Sequence, residues 1–361
     1  MSIQAYEDTA RERFEKIAGK KGALILGIES SCDETAAAVV EDGRRVLSNI
    51  IASQIEIHKR FGGVVPEVAS RNHTLALPHI IDEALEAAKV RAEDLDAVAV
   101  TYGAGLIGAL LVGVSSAKAF AYAKNLPLIA VNHIEAHVAA NYIDTALTPP
   151  FVALVASGGH TLLLDISSYN DYTMLGSTLD DALGEAFDKV ARVLGLPYPG
   201  GPNIDKLARE GKPNIKLYKT QKGVRSDLML SYSGLKTAVV NYVHTLKHKG
   251  EPVPVADLCA SFSHEAIDLL AATTAQAVQK AGRSTLVLAG GVASNSYLRQ
   301  KLQETGKQCG FCVQYPLPVL CTDNAAMVAS RAYFMAAEGK GLAGLDLNAK
   351  SYLPFTAKEP L

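Results

Sequence analysis

The stretch Ala23-Leu24-Ile25-Leu26-Gly27-Ile28-Glu29 runs into a small polar tip, Ser30-Ser31-Cys32-Asp33-Glu34-Thr35. Ala36-Ala37-Ala38-Val39-Val40 then resumes the apolar pattern. Short apolar runs on either side of a polar turn read as paired buried strands. Glu41-Asp42-Gly43-Arg44 has hairpin-turn chemistry, and Val46 to Gln54 supplies a third strand. The same plan restarts after Pro149-Pro150. There Phe151 to Ala156, the tip Ser157-Gly158-Gly159-His160-Thr161, Leu162 to Asp165, a turn at 169–172 and a strand from Thr173 follow in order. Two copies of one opening plan predict a structural duplication, although residue identity between them is slight.

In each half the hairpin is followed by helices alternating with strands. Helical periodicity marks Asn72 to Val90, Ala109 to Lys124, Asp180 to Leu194, Leu235 to Lys249, Val255 to Ala281, Tyr297 to Thr305 and Ala325 to Glu338. Strand-like runs fall at Leu95 to Thr101, Leu126 to Val131, Thr285 to Ala289 and Phe311 to Tyr315. The pattern predicts an α/β chain. Residues 1–22 form an extension, flexible or briefly helical, 23–150 a first lobe, and 151–352 a second lobe with inserted helices at about 205–260. Residues 353–361 are read as an irregular tail.

The chain has 361 residues, 48% hydrophobic and 20% charged, with net charge −2. Such a balance provides no global basic field for nucleic acid, so contact with a polyanion falls to local patches or to partners. Lys212, Lys216, Lys219, Lys222 and Arg225 form one basic stretch; His244, Lys247, His248 and Lys249 form another. Five scattered cysteines suit a reducing compartment. Met1 to Lys21 lacks the apolar run of a secretory signal, and no apolar stretch reaches membrane-spanning length. The expected location is the cytoplasm, with no membrane contact.

His133 and His137 follow a buried strand, four residues apart on a helix-prone run. On a helix they stack on one face, close enough to share a metal ion; two partly exposed histidines would give the same spacing. Glu135 sits about 200° around the helix from His133, away from such an ion. In the H-E-x-x-H motif the general base directly follows the first histidine, so this spacing argues against a zinc peptidase. Asp323 precedes the last long helix and fits either an N-cap or a third ligand from the second lobe.

Three glycine turns, at Ser157 to His160, Gly290-Gly291 and Gly103 to Gly108, lie where backbone N–H groups cup a phosphate or where a chain simply turns. No Walker loop and no clear G-x-G-x-x-G occurs. Asp33-Glu34 on the first tip reads as turn chemistry or as a carboxylate that positions a substrate or a metal. Asp180, Asp181 and Glu185 have the placement of ordinary helix-dipole partners, which leaves Asp188. Cys309-Gly310-Phe311-Cys312 has no second pair and reads as structural rather than as a four-thiolate site.

Gly27 to Thr35, His133 to His137, Val155 to Thr161, Asp181 to Lys189 with Tyr198 to Pro202, Gly290 to Asn295 and Asp323-Asn324 occur in the order seen in the TsaD (YgjD/Gcp) family. The chain resembles that family, in its bacterial or organellar form, from about Leu24 to Tyr352. The resemblance implies a duplicated two-lobe actin/hexokinase/Hsp70-like (ASKHA) fold with the active site in the interlobe cleft. It implies transfer of the threonylcarbamoyl group from threonylcarbamoyl-AMP to N6 of the adenosine just 3′ of the anticodon, in tRNAs reading codons that begin with adenine. The family's metal, Fe2+ ahead of Zn2+, is carried onto His133, His137 and Asp323. Its adenylate contacts fall on Val155, Ala156, Ser157, Gly158, Gly159, Asp188, Gly201, Asp205 and Asn295, and Asp33 matches a carboxylate important for its activity; Asp33 and the adjacent Glu34 are the catalytic candidates. TsaB-like and TsaE-like proteins are the implied partners. The competing readings are a metallopeptidase acting on sialoglycoproteins, an older label of this family, and a small-molecule kinase of the same fold.

Overall fold

The computed structural model describes residues 2–218 and 225–355. Along the chain come α1 (Ile3–Glu15), β1 (Leu24–Glu29), β2 (Glu34–Glu41), β3 (Arg45–Ser53), α2 (Ile55–His58), α3 (Pro66–Ala88), β4 (Ala97–Gly103), α4 (Ile107–Lys124), β5 (Leu128–Asn132) and α5 (His133–Ala139). Next are β6 (Phe151–Ala156), β7 (Thr161–Ser168), β8 (Asp171–Ser177), α6 (Leu183–Val193), α7 (Gly200–Ala208), α8 (Ser233–Lys249), α9 (Val255–Ala281) and β9 (Thr285–Ala289). The chain ends with α10 (Ser296–Cys309), β10 (Cys312–Gln314), α11 (Pro318–Cys321), α12 (Ala325–Ala336) and β11 (Leu342–Ala343).

Two sheets form, in the orders β11-β5-β4-β1-β2-β3 and β10-β9-β6-β7-β8. In each, an antiparallel hairpin (β1–β2, β6–β7) is extended on its first strand by a parallel neighbour (β4, β9). The duplication read from the two hairpins is therefore a duplication of topology.

The chain divides into two compact units. One holds the described residues up to 149, then 168–171 and 316–354; the other holds 150–167, the described part of 172–315, and Phe355. The sequence reading assigned 316–352 to the second lobe. The structure returns that segment, Asp323 included, to the first unit.

Gly27 gives the physical reason. Strand alternation sorts β2 between two cores: Ala36, Ala38 and Val40 face α12, whereas Ala37 and Val39 face α3 and α4. On β1, Ile25 joins the α12 core, so Gly27 and Glu29 share its face. A Cβ at Gly27 would overlap the Ala325 carbonyl oxygen and lie 2.8 Å from the Ala329 nitrogen. The bare strand backbone lets α12 pack in direct contact, and an alanine-rich helix face makes that approach close.

Several boundaries move. α3 begins at Pro66, six residues before the helical periodicity, because the proline fits a first helical turn. The tail is not wholly irregular: β11 pairs antiparallel with β5. The extension is helical, with Tyr6, Ala10 and Phe14 buried, the Tyr6 hydroxyl donating to the Leu126 carbonyl, and Arg13 donating to the carbonyls of Asn125 and Leu95. Lys219 and Lys222 of the basic stretch, and 356–361 of the tail, lie outside the described residues. No helix among the described residues is long and apolar enough to cross a membrane.

Candidate metal centre and nucleotide loops

β5 ends at Asn132, whose side chain caps α5 by accepting from the Ile134 N–H at 2.9 Å. The cap fixes where the helix starts and so places His133 and His137 on one face. Their rings meet edge-on, centroids 4.6 Å apart. Asp323 arrives from the turn before α12, with Oδ1 at 3.1 Å from His137 Nε2 and 3.6 Å from His133 Nε2. One donor atom from each of the three side chains lies within 4.8 Å of the other two. Asn324, not Asp323, caps α12 by accepting from the Met327 N–H.

Two observations fit this cluster to a cation. Both ring nitrogens of His137 are buried without a hydrogen-bond partner among the described residues, so its approach to Asp323 is a convergence of donors rather than a hydrogen bond. A buried imidazole left unpaired is costly unless it binds something. His133 is also oriented from behind. Its Nδ1 faces Glu29 Oε2 at 3.3 Å and the Ser31 hydroxyl at 3.1 Å, which turns Nε2 toward Asp323.

Glu29 is fully buried. It accepts from the Thr101 hydroxyl and the Ser31 N–H, both at 2.6 Å. Burial opposes its ionisation, yet the facing His133 ring and the Thr101 hydroxyl hold its carboxyl below the usual range. Burial likewise pulls the His133 imidazole down, and the Asp323 and Glu29 carboxylates outweigh it, pushing the ring up to about 9. Two carboxylates thus face one imidazole from its two sides, a donor set whose chemistry suits a cation. Sequence reasoning passed over Glu29 as the last residue of a strand; a charged residue closing an apolar run was the available signal.

Glu135 points away from the cluster. Its carboxylate accepts from the Arg331 guanidinium, Nε at 2.8 Å and Nη2 at 2.6 Å, and Arg331 also donates to the Tyr169 carbonyl. It ties α5 to α12 and does not face the cluster as the glutamate of an H-E-x-x-H site would.

Asp33 lies in the tip between β1 and β2. Burial raises its carboxyl above the ordinary value, and the Asp323 charge adds to the effect while the Cys32 thiol opposes it. Glu34 starts β2 and accepts from the Ser53 hydroxyl at 2.9 Å. Burial pushes it up to about 7, helped by Asp33 and Asp323.

In the second unit, β6 and β9 run parallel, so the tip after Ala156 and the turn after Ala289 leave the same end of the sheet. Ligands of open α/β sheets bind at that end. Gly290 has φ +87°, and a Cβ there would overlap the Ala156 carbonyl oxygen, whereas a Cβ at Gly158, Gly159, Gly201 or Gly291 would meet nothing within 4 Å. The backbone at those four positions is open to a ligand.

Val155 and Ala156 end β6, and Ser157 accepts from the His160 N–H. Asp188 accepts from the Gly200 N–H at 2.7 Å and so fixes the start of α7. Asp205 accepts from the backbone and hydroxyl of Ser296, beside Asn295, which caps α10. The third glycine turn is different. Cβ atoms at Gly103 and Gly105 would overlap or crowd the carbonyls of Lys350 and Ser31, so packing closes that turn. Asp180 also departs from its expected role, because its carboxylate caps α8 through Ser231, Tyr232 and Ser233 instead of α6.

Residues 45–330 match the family model TsaD, tRNA N6-adenosine threonylcarbamoyltransferase. The chain belongs to the TsaD family. A Clostridium novyi (strain NT) tRNA N6-adenosine threonylcarbamoyltransferase is 53% identical over 331 residues, 91% of this chain and 97% of that protein. The Clostridioides difficile (strain 630) protein of the same name is 50% identical over 318 residues, 88% of this chain and 94% of that protein. Among solved structures, T. kodakarensis HypF superposes with TM-score 0.60 at 15% identity, over 91% of this chain and 49% of that one. Acidaminococcus fermentans (R)-2-hydroxyglutaryl-CoA dehydratase component A gives TM-score 0.50 at 16% identity, over 87% of this chain and 99% of that one. These two likenesses concern the fold, an α/β architecture of the ASKHA type built from two mixed sheets.

Proposed function

We propose that this TsaD-family chain is the transferase that forms threonylcarbamoyladenosine in tRNA, with threonylcarbamoyl-AMP as donor. The observation that carries the reading is the His133–His137–Asp323 cluster, in a chain half identical to transferases of that name whose second unit also has glycine loops open to a ligand.

The donor is already activated, so the protein has to position it and stabilise charge. The adenine N6 attacks the carbamoyl carbon; the N–C bond forms and the C–O bond to the phosphate breaks. AMP leaves with the electron pair, and the amine gives up a proton. Asp33, a buried carboxylate with a raised pKa, is the proton acceptor in this reading, and Glu34 supports its charge state. Gly158, Gly159 and Gly201 offer open backbone to the adenylate, Val155, Ala156 and Ser157 carry that tip at the end of β6, and Asn295 joins them in this reading. Asp188 and Asp205 offer carboxylate oxygens to its hydroxyls.

His133, His137 and Asp323 would hold one divalent ion, oriented by Glu29 and Ser31. When bound, the ion supplies Lewis-acid stabilisation of developing oxygen charge and a template for the donor. Two imidazoles and a carboxylate suit Fe2+ and Zn2+ alike, and Fe2+ is the ion of this reading on the family resemblance. A near-neutral chain that acts on tRNA fits TsaB-like and TsaE-like partners and a cytoplasmic location.

The test is incubation with threonylcarbamoyl-AMP and unmodified tRNA, with and without partner proteins, followed by nucleoside mass spectrometry. The expected result is metal-dependent threonylcarbamoyladenosine. Cleavage of a glycoprotein, or phosphorylation of a small molecule from ATP, with no modified nucleoside would replace the reading.

A further inference from the structure

The tip that carries Asp33 is held from behind by α3. His73 lies on that helix with no exposed surface. Its Nε2 is 3.0 Å from the Cys32 carbonyl oxygen, and a carbonyl can only accept, so Nε2 carries the proton. Its Nδ1 is then bare and accepts from the Thr35 hydroxyl at 2.7 Å. The ring is a neutral imidazole in one tautomer, with one bond to the residue before Asp33 and another two residues after it. Burial, which lowers its pKa, keeps it in that state. Gln54 completes the brace: its N–H donates to the Asp33 carbonyl at 3.0 Å, and its side-chain amide reaches the Ala69 carbonyl at 3.4 Å.

We infer that His73 is a positioning residue for Asp33, a two-sided clamp that fixes the tip so that the carboxylate is presented in one orientation. A histidine that merely satisfied itself in a core would need one partner on any element. This one spends both nitrogens on the four residues that contain Asp33. The clamp makes Asp33 usable as a proton acceptor at small reorganisation, because the residues flanking it cannot swing. His73 touches no reacting atom in this account; it acts through Asp33.

The inference rests on the reading of Asp33 given above, and the experiment separates the two. Wild type, His73→Leu and His73→Gln are compared for transfer kinetics, bound metal and hydrogen exchange of the backbone at 31–35. His73→Leu is expected to lower kcat about 10–100-fold, with KM for tRNA and metal content unchanged and tip exchange faster. His73→Gln, whose amide can donate to the Cys32 carbonyl, is expected to recover most of the loss. If His73→Leu does not fold, Thr35→Val, which removes only the hydroxyl, takes its place with a smaller fall in kcat and the same faster exchange. Wild-type kcat in a folded variant, or a fall that His73→Gln does not relieve with exchange unchanged, overturns the clamp. If wild type itself forms no product, the transfer reading fails and exchange alone judges the clamp: faster exchange upholds it, unchanged exchange overturns it.

Discussion

Glu29 Oε2 stands 3.3 Å from His133 Nδ1, and the far nitrogen of that ring faces Asp323 Oδ1 at 3.6 Å. The carboxylate–imidazole–carboxylate line fixes which nitrogen is offered to a metal. Glu29→Gln keeps the shape and removes the charge. Metal affinity is expected to fall about 10–100-fold, read by chelator competition, with circular dichroism unchanged. Wild-type affinity would mean that Glu29 serves only the tip backbone.

His133→Ala and His137→Ala are expected to lower bound metal and to abolish tRNA modification while the fold persists. Elemental analysis and nucleoside mass spectrometry of the same preparations check both. Full activity in either variant would sink the metal-template account.

Gly27 sets the distance between β1 and α12. Gly27→Ala introduces a Cβ that overlaps the Ala325 carbonyl, so the helix must retreat. Overpacking of this kind costs about 1–3 kcal/mol, read from urea denaturation. Asp323 should move with α12, so metal affinity should fall as well, although the substitution touches no ligand.

Arg331 and Glu135 form a nearly buried ion pair between α12 and α5, with Arg331 at 3% exposure. Arg331→Met leaves the Glu135 charge behind and should cost about 3–5 kcal/mol. The double variant Arg331→Met/Glu135→Gln should cost less than the single one. A denaturation cycle over the four proteins measures the difference; additive losses would refute the coupling.

Glu34 provides a pH signature. Its pKa is raised to about 7 in the folded chain against 4.5 for an unperturbed carboxyl. The folded state therefore binds the extra proton, so this group favours folding below pH 4.5 and loses that contribution as pH rises through about 7. Glu34→Gln should be more stable relative to wild type at pH 8 than at pH 5, by urea denaturation at both. An equal difference at the two pH values would place its pKa in the ordinary range.

The hairpin alternation, the spacing of His133 and His137 and the placement of the turn glycines are local, and strand and helix periods alone make them legible. That Glu135 points away from His133 follows from the same helical period. Other features depend on which segments meet. Glu29 and His133 are 104 residues apart, and nothing in either local pattern announces the pair. Gly103 to Gly108 and Gly290-Gly291 look alike in sequence, yet Lys350 and Ser31 pack against the first while Gly291 of the second has nothing within 4 Å of where a Cβ would lie. Asp323 reads locally as an N-cap, a role that Asn324 takes.

The sequence alone determined a duplicated α/β plan and a two-histidine helix. Tertiary structure decided that Asp323 belongs to the same unit as those histidines, because Gly27 lets α12 lie directly on β1. A metal ligand set is closed by packing contacts between distant segments, and such contacts have no period to read along the chain.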